Sequence, residues 1–126
     1  MKSLNVIRTA YRATLEEQDD TIVWITHAMK GAGADLDVLL RGSAVNYVSR
    51  AQEVSPLRFG DRAQKNAPQI ARDIAGLIGK GIGVYVVEED LAERGVADGD
   101  LLDGLNRIKR AELPGLFGGY DHIWAW

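Results

Sequence analysis

Cysteine is absent from this chain. Its absence excludes a disulfide framework, a cysteine-ligated zinc or iron–sulfur site, and every cysteine nucleophile. Basic charge is in the minority, with 15 lysines and arginines against 18 acidic residues. The dense basic stripe of a nucleic-acid-binding domain is therefore missing. Long apolar runs are missing too: no segment approaches the roughly 18 consecutive apolar residues of a membrane span. The opening Met1–Glu17 carries charges where a secretory signal has an apolar run of about 7–15 residues. A cytoplasmic protein is expected, with neither nucleic acid nor membrane as partner. Histidines number only 2, too few for the three or four convergent ligands of a zinc site built without cysteine, and no metal or cofactor is expected.

What remains has the balance of a globular chain: 46% hydrophobic and 26% charged residues over 126 positions. This length suits a single domain spanning 1–126. Strand and helix signals alternate along it. Leu4, Val6 and Ile7 read as a first strand. A helix follows, entered at Thr14 because Thr14-Leu15-Glu16-Glu17 has the form of a capping box. Its apolar face is expected to run through Leu15, Ile22, Ile25, Met29 and Ala32, with a gap at Gln18 and Asp19, and Gly31 and Gly33 stop it.

The run Leu36, Val38, Leu39 and Leu40 suits a strand covered on both faces. A short helix is expected over Ser43–Tyr47, with Ser43 as its N-cap. Arg50 to Lys65 has no period and reads as a long, solvated loop, with an anionic ligand as its other reading. A second amphipathic helix begins near Asn66 and carries Ile70, Ile74, Leu77 and Ile78 on one face. The β-branched run Ile82–Val87 is the clearest strand, followed by a short helix from Asp90 to Arg94. A weak strand near Asn106–Lys109, a short helix over Glu112–Phe117 and a last strand at Ile123–Trp126 complete the chain. Five strands separated by helices predict a three-layer α/β/α sandwich on a five-stranded parallel sheet, Rossmann-like in layout.

Glycine-rich stretches hold no phosphate loop. Gly31-Ala32-Gly33 and Gly79-Lys80-Gly81 each follow a helix and precede a strand, the reverse of what a phosphate-binding turn requires. Arg41-Gly42-Ser43-Ala44-Val45 is not a nucleophile elbow. Asp121-His122 would put its two side chains on opposite faces of a strand. The acidic cluster Glu88-Glu89-Asp90 follows the clearest strand, so it belongs at the carboxyl edge of the sheet, where open α/β folds bind ligands. Acids also favour the first turn of a helix, and both readings stand. Tyr120, Trp124 and Trp126 form either a contact surface or ordinary core.

Three stretches carry a family resemblance. Ala32-Gly33-Ala34 leads into Asp37-Val38-Leu39-Leu40-Arg41-Gly42-Ser43-Ala44-Val45. Then come Lys80-Gly81-Ile82-Gly83-Val84-Tyr85-Val86-Val87, and Leu91-Ala92-Glu93-Arg94-Gly95-Val96 followed by Asp100-Leu101-Leu102. In order and spacing these resemble the DsrE/DsrF-like family of sulfur-relay proteins. Its sulfur-transferring members carry a persulfide on a cysteine at the end of the third strand, where this chain has Val87 followed by Glu88. The resemblance therefore implies a non-catalytic member without thiol chemistry, assembled as a homo-oligomer of between two and six copies. A small ligand or protein partner is expected at the carboxyl edge, with Thr9, Arg41, Ser43, Asn46, Val87, Glu88 and Glu89 as the candidate residues. The alternative is a small enzyme that uses the carboxylates after the third strand, together with Arg41, on a small polar substrate.

Overall fold

The computed structural model describes residues 1–126. Strands β1 (Lys2–Ile7), β2 (Asp35–Leu40), β5 (Val84–Val87), β6 (Asn106–Ile108) and β7 (His122–Ala125) form one sheet in the order β6-β5-β2-β1-β7. Every neighbouring pair is parallel, and one row of the register reads Val6, Leu39, Tyr85, Asn106 across four strands. The expected five-stranded parallel α/β architecture is what the chain adopts. The remaining strands, β3 (Arg58–Phe59) and β4 (Arg62–Ala63), make a small antiparallel ribbon inside the long loop.

The two faces of the sheet are covered unequally. On one lie α2 (Thr21–Gly31), α3 (Ile70–Gly79) and α4 (Glu88–Glu93), together with a 3-10 helix at Gly42–Val48. They enclose the larger core, in which Ile7, Val38, Leu40, Val84 and Val86 of the sheet meet Val23, Tyr47, Ile74, Leu77 and Leu91. The opposite face is covered mainly by α5 (Leu113–Phe117), which closes a smaller cluster of Leu4, Val6, Leu39, Val87 and Leu113. β7 lies at the edge, and all four of its residues are exposed. None of the helices is long and apolar enough to cross a membrane.

Local capping departs from expectation. Thr14–Glu17 (α1) is a single isolated turn whose N-cap position, Ala13, offers no side-chain bond. The chain breaks at Gln18, which adopts a left-handed φ of 65°. The long helix starts afresh at Thr21, where the Asp20 carboxylate accepts from the Ile22 and Val23 N–H groups at 2.9 and 3.0 Å. The gap at Gln18 and Asp19 was thus a helix boundary. In consequence Leu15 and Ala32 are exposed, and Val23 and Thr26 are the residues α2 buries. Helix α3 likewise begins at Ile70 and not at Asn66.

Asp20 does more than cap. Its second oxygen accepts from the fully buried Tyr47 hydroxyl at 2.6 Å, and that same hydroxyl accepts from the Tyr11 N–H at 2.7 Å. Burial and the Asp20 carboxylate push the Tyr47 phenol well above its ordinary pKa, so it stays a neutral donor. Tyr47→Phe is expected to lower stability by about 1–3 kcal/mol, because both the Asp20 oxygen and the Tyr11 N–H lose their partner. Urea denaturation should show a lower midpoint at an unchanged slope.

Candidate functional site

Strand order singles out one position. The chain steps outward from β1 through β2 and β5 to β6, then returns to lay β7 against the other side of β1. Open α/β sheets hold ligands beyond the carboxyl ends of their strands, where the strand order reverses, and here that is between β1 and β7. Just past those ends, the Arg8 N–H donates to the Trp126 carbonyl at 3.1 Å.

The segment that leaves β1 is held in an unusual backbone path. Tyr11, Ala13 and Gln18 all have positive φ without being glycine, at 60°, 51° and 65°. Such conformations are costly and persist where surrounding bonds enforce them. The Ser43 Oγ accepts from the Ala10 N–H and donates to the Arg8 carbonyl, the Tyr11 N–H reaches Tyr47, and the Tyr11 hydroxyl donates to Gln52. Gly42 passes so close that a Cβ there would meet the Arg8 carbonyl oxygen at 2.9 Å, and its own φ is +59°. Only glycine suits both demands. Ser43 is therefore a stitch between two strand exits and not the N-cap of the 3-10 helix, whose N-cap position is Arg41.

The Asp90 carboxylate supplies what Ser43 does not. It accepts from the Gly42 N–H at 2.7 Å and from the Arg110 guanidinium at 2.6 Å, with only 8% of its side chain exposed. Burial works to raise the pKa of Asp90, but the Gly42 N–H and Arg110 together outweigh it and hold the group below the usual carboxylate range.

Each residue expected at the site now has a place. Thr9 is exposed on the segment that leaves β1, and Arg41 is half-buried at the end of β2. Ser43 is consumed by the stitch. Asn46 donates to the Ser43 carbonyl and lines a cavity of about 340 Å³ with Tyr11, Ser49 and Gln52. Val87 is fully buried against Leu4, Val6, Leu39 and Leu113 and meets no solvent. Glu88 pairs with Arg107 at 3.4 Å, and both Glu89 oxygens accept from the Arg110 N–H. The acids of the cluster are thus each engaged with a neighbouring element.

At the carboxyl ends of β1 and β2 two arginines have no ion-pair partner. Ile7 and Leu40 are the last registered pair of β1 and β2, and the Arg41 N–H donates to the Ile7 carbonyl. Arg8 and Arg41 follow one step beyond, on adjacent strand ends. Neither has a carboxylate within 4.0 Å. Sequence reasoning missed Arg8 as well as Tyr11, Tyr47, Gln52 and Arg110. Only Asp20 had a readable signal, since Asp followed by Thr before an apolar periodic run marks a helix start.

No family model and no curated protein matches the sequence. Solved structures do match in three dimensions. The YchN protein from E. coli superimposes over 100% of both chains with a TM-score of 0.72 at 18% identity. The fold is YchN-like. A protein of unknown function from Methanobacterium thermoautotrophicum, MTH1491, matches with a TM-score of 0.65 at 12% identity over 98% of this chain and 97% of its own. BT1422 from Bacteroides thetaiotaomicron, a conserved protein of unknown function, gives 0.66 at 15% identity over 98% and 94%. At such identities the likeness is one of fold alone. YchN has a DsrE-like fold, so at the level of architecture the resemblance drawn from the sequence agrees with these structures.

The low pKa of Asp90 has a consequence for stability. A carboxylate whose folded pKa lies below its unfolded value of roughly 3.9 stabilises the fold above that value, and the stabilisation is lost as pH falls through the folded pKa. Asp90→Asn should therefore flatten the fall in melting temperature seen on acidification below about pH 4. Thermal unfolding of both proteins across that acid range checks it.

Proposed function

We propose that this chain is a non-catalytic DsrE/DsrF-like protein that binds a small anionic ligand at the carboxyl ends of β1 and β2. One observation carries the reading: Arg8 and Arg41 stand on adjacent strand ends with no counter-charge, beside the reversal in strand order. Two guanidinium groups on neighbouring strand ends that the fold leaves unpaired are free to give an anion charge-assisted hydrogen bonds. Exposed Thr9 adds a hydroxyl donor, and Trp126 lies next to Arg8 through their backbone bond. The enzyme alternative asks Glu88, Glu89 or Asp90 to act as acid or base. Their engagement with Arg107, Arg110 and Gly42 favours a structural use of those groups.

Self-association forms part of this proposal. β7 presents an open strand edge, with Ile123 42% and Trp124 45% exposed. An uncovered apolar edge invites strand pairing, and aromatic residues are enriched at interface cores. We place the protein in the cytoplasm, with neither nucleic acid nor membrane as partner, in keeping with its net charge of −3.

Inorganic phosphate and sulfate are the first probes. Each should raise the melting temperature of the wild-type protein, and Arg8→Gln or Arg41→Gln should weaken binding by about tenfold, the loss expected of one charge-assisted hydrogen bond. Glu88→Gln with Glu89→Gln should leave anion binding unchanged. Indifference of the wild-type protein to both anions would remove the proposed site. For self-association, light scattering should give a multiple of the 13.8 kDa chain mass, reduced by Trp124→Lys. A monomeric wild-type protein would count against that part.

A further inference from the structure

A second cavity lies away from the β1–β2 strand ends. It measures about 440 Å³ and opens between the start of the long loop and the beginning of α3. That volume sits within the range of about 300–1,000 Å³ typical of small-molecule sites. Its lining includes the two arginines Arg50 and Arg72 and an apolar part, here called its floor, with Val54, Pro68 and Leu102; Gln52 also lines it, with its amide already bonded to Tyr11, Tyr47 and Ser49. No carboxylate lines it.

Charge is available there. Arg72 has only the neutral Gln69 side chain, at 3.5 Å. Arg50 pairs with Asp103 at 2.8 Å, but the Asp103 side chain is 97% exposed. An exposed pair of that kind contributes about 0–1 kcal/mol and uses one of several guanidinium donors, so it exchanges readily for another anion. Helix α3 begins beside the cavity with Gln69 at its N-cap position, and no side chain caps its first turn. That turn also carries Asp73, whose charge opposes the positive end of the helix dipole, so the attraction for an anion rests on the two arginines.

We propose that this cavity binds a small organic anion: a carboxylate head held by Arg72 and Arg50, with a short apolar chain laid on Val54, Pro68 and Leu102. The apolar floor separates this ligand from inorganic phosphate, which has nothing to bury there. The guanidinium pair separates it from a neutral ligand of the same shape. The site is independent of the one at Arg8 and Arg41.

Hexanoate is the probe, with hexanol, hexylamine and inorganic phosphate as comparisons, followed by calorimetry on the full-length protein. Hexanoate should bind with a dissociation constant near or below about 1 mM, and hexanol and hexylamine at least about tenfold more weakly. Arg72→Gln should weaken hexanoate by about tenfold, Arg72→Lys should restore part of the loss, and Arg41→Gln should leave it unchanged. Arg72 is exposed, so these variants should keep the wild-type circular dichroism spectrum. Three results would overturn the proposal: no binding of hexanoate, binding insensitive to both Arg72→Gln and Arg50→Gln, or binding abolished by Arg41→Gln. Phosphate binding that Arg72→Gln abolishes while hexanoate stays silent would overturn it equally, because the apolar floor would then play no part.

Discussion

Two carboxylates, each largely withdrawn from water, hold the sheet at its opposite ends. At the amino end Asp37, 12% exposed, accepts from the Gly83 N–H at 2.8 Å and the Tyr120 hydroxyl at 2.6 Å and pairs with Lys2 at 3.3 Å. It thereby ties the starts of β1 and β5 and the approach to β7 onto β2. Asp90 does the corresponding work at the carboxyl end, joining β2, α4 and the segment after β6 through Gly42 and Arg110. A carboxylate removed from water is costly unless donors replace its hydration, and both have such donors. Gly83 shows how tightly this is drawn, since a Cβ there would meet the Asp37 carboxylate oxygen at 2.8 Å.

Between these anchors the central strands are apolar on both faces, as a parallel sheet requires. Asn5 is the polar exception; its amide donates to the Thr26 hydroxyl at 3.0 Å, and its side-chain oxygen is buried with no partner. Polar groups at the carboxyl edge divide into two sets. Ser43, Glu88, Glu89 and Asp90 bond to neighbouring elements and give the edge its shape. The side chains of Arg8, Thr9 and Arg41 make no such bonds and are left unspent once the fold has satisfied its own needs. The same logic distinguishes Arg72 from arginines such as Arg107 and Arg110, which the fold already uses.

Much of the architecture was legible along the chain. The β-branched run ending at Val87, the apolar run Leu36–Leu40 and the three- and four-residue spacing from Ile70 to Ile78 each became the element their period indicates. Burial on one or two faces imposes that period directly, so residue order records it. Helix starts were less legible. Thr14 opens only the single turn α1 and caps nothing, whereas the Asp20 carboxylate caps α2 and is also held by Tyr47, far away in sequence.

By itself, then, the sequence determined that the chain offers no cysteine thiol of its own, that the sheet is parallel with five strands, and that a valine ends its third strand in the main sheet. Those follow from composition and from short-range apolar periodicity. Tertiary structure alone decided that the acidic cluster is bonded to neighbouring elements, that Arg8 and Arg41 have no carboxylate within 4.0 Å, and that Arg50 and Arg72 share a cavity. Each depends on distances between residues from about 20 to over 30 positions apart in the chain. Residue order records which side chains are present, but their partners are set by how strands and helices pack.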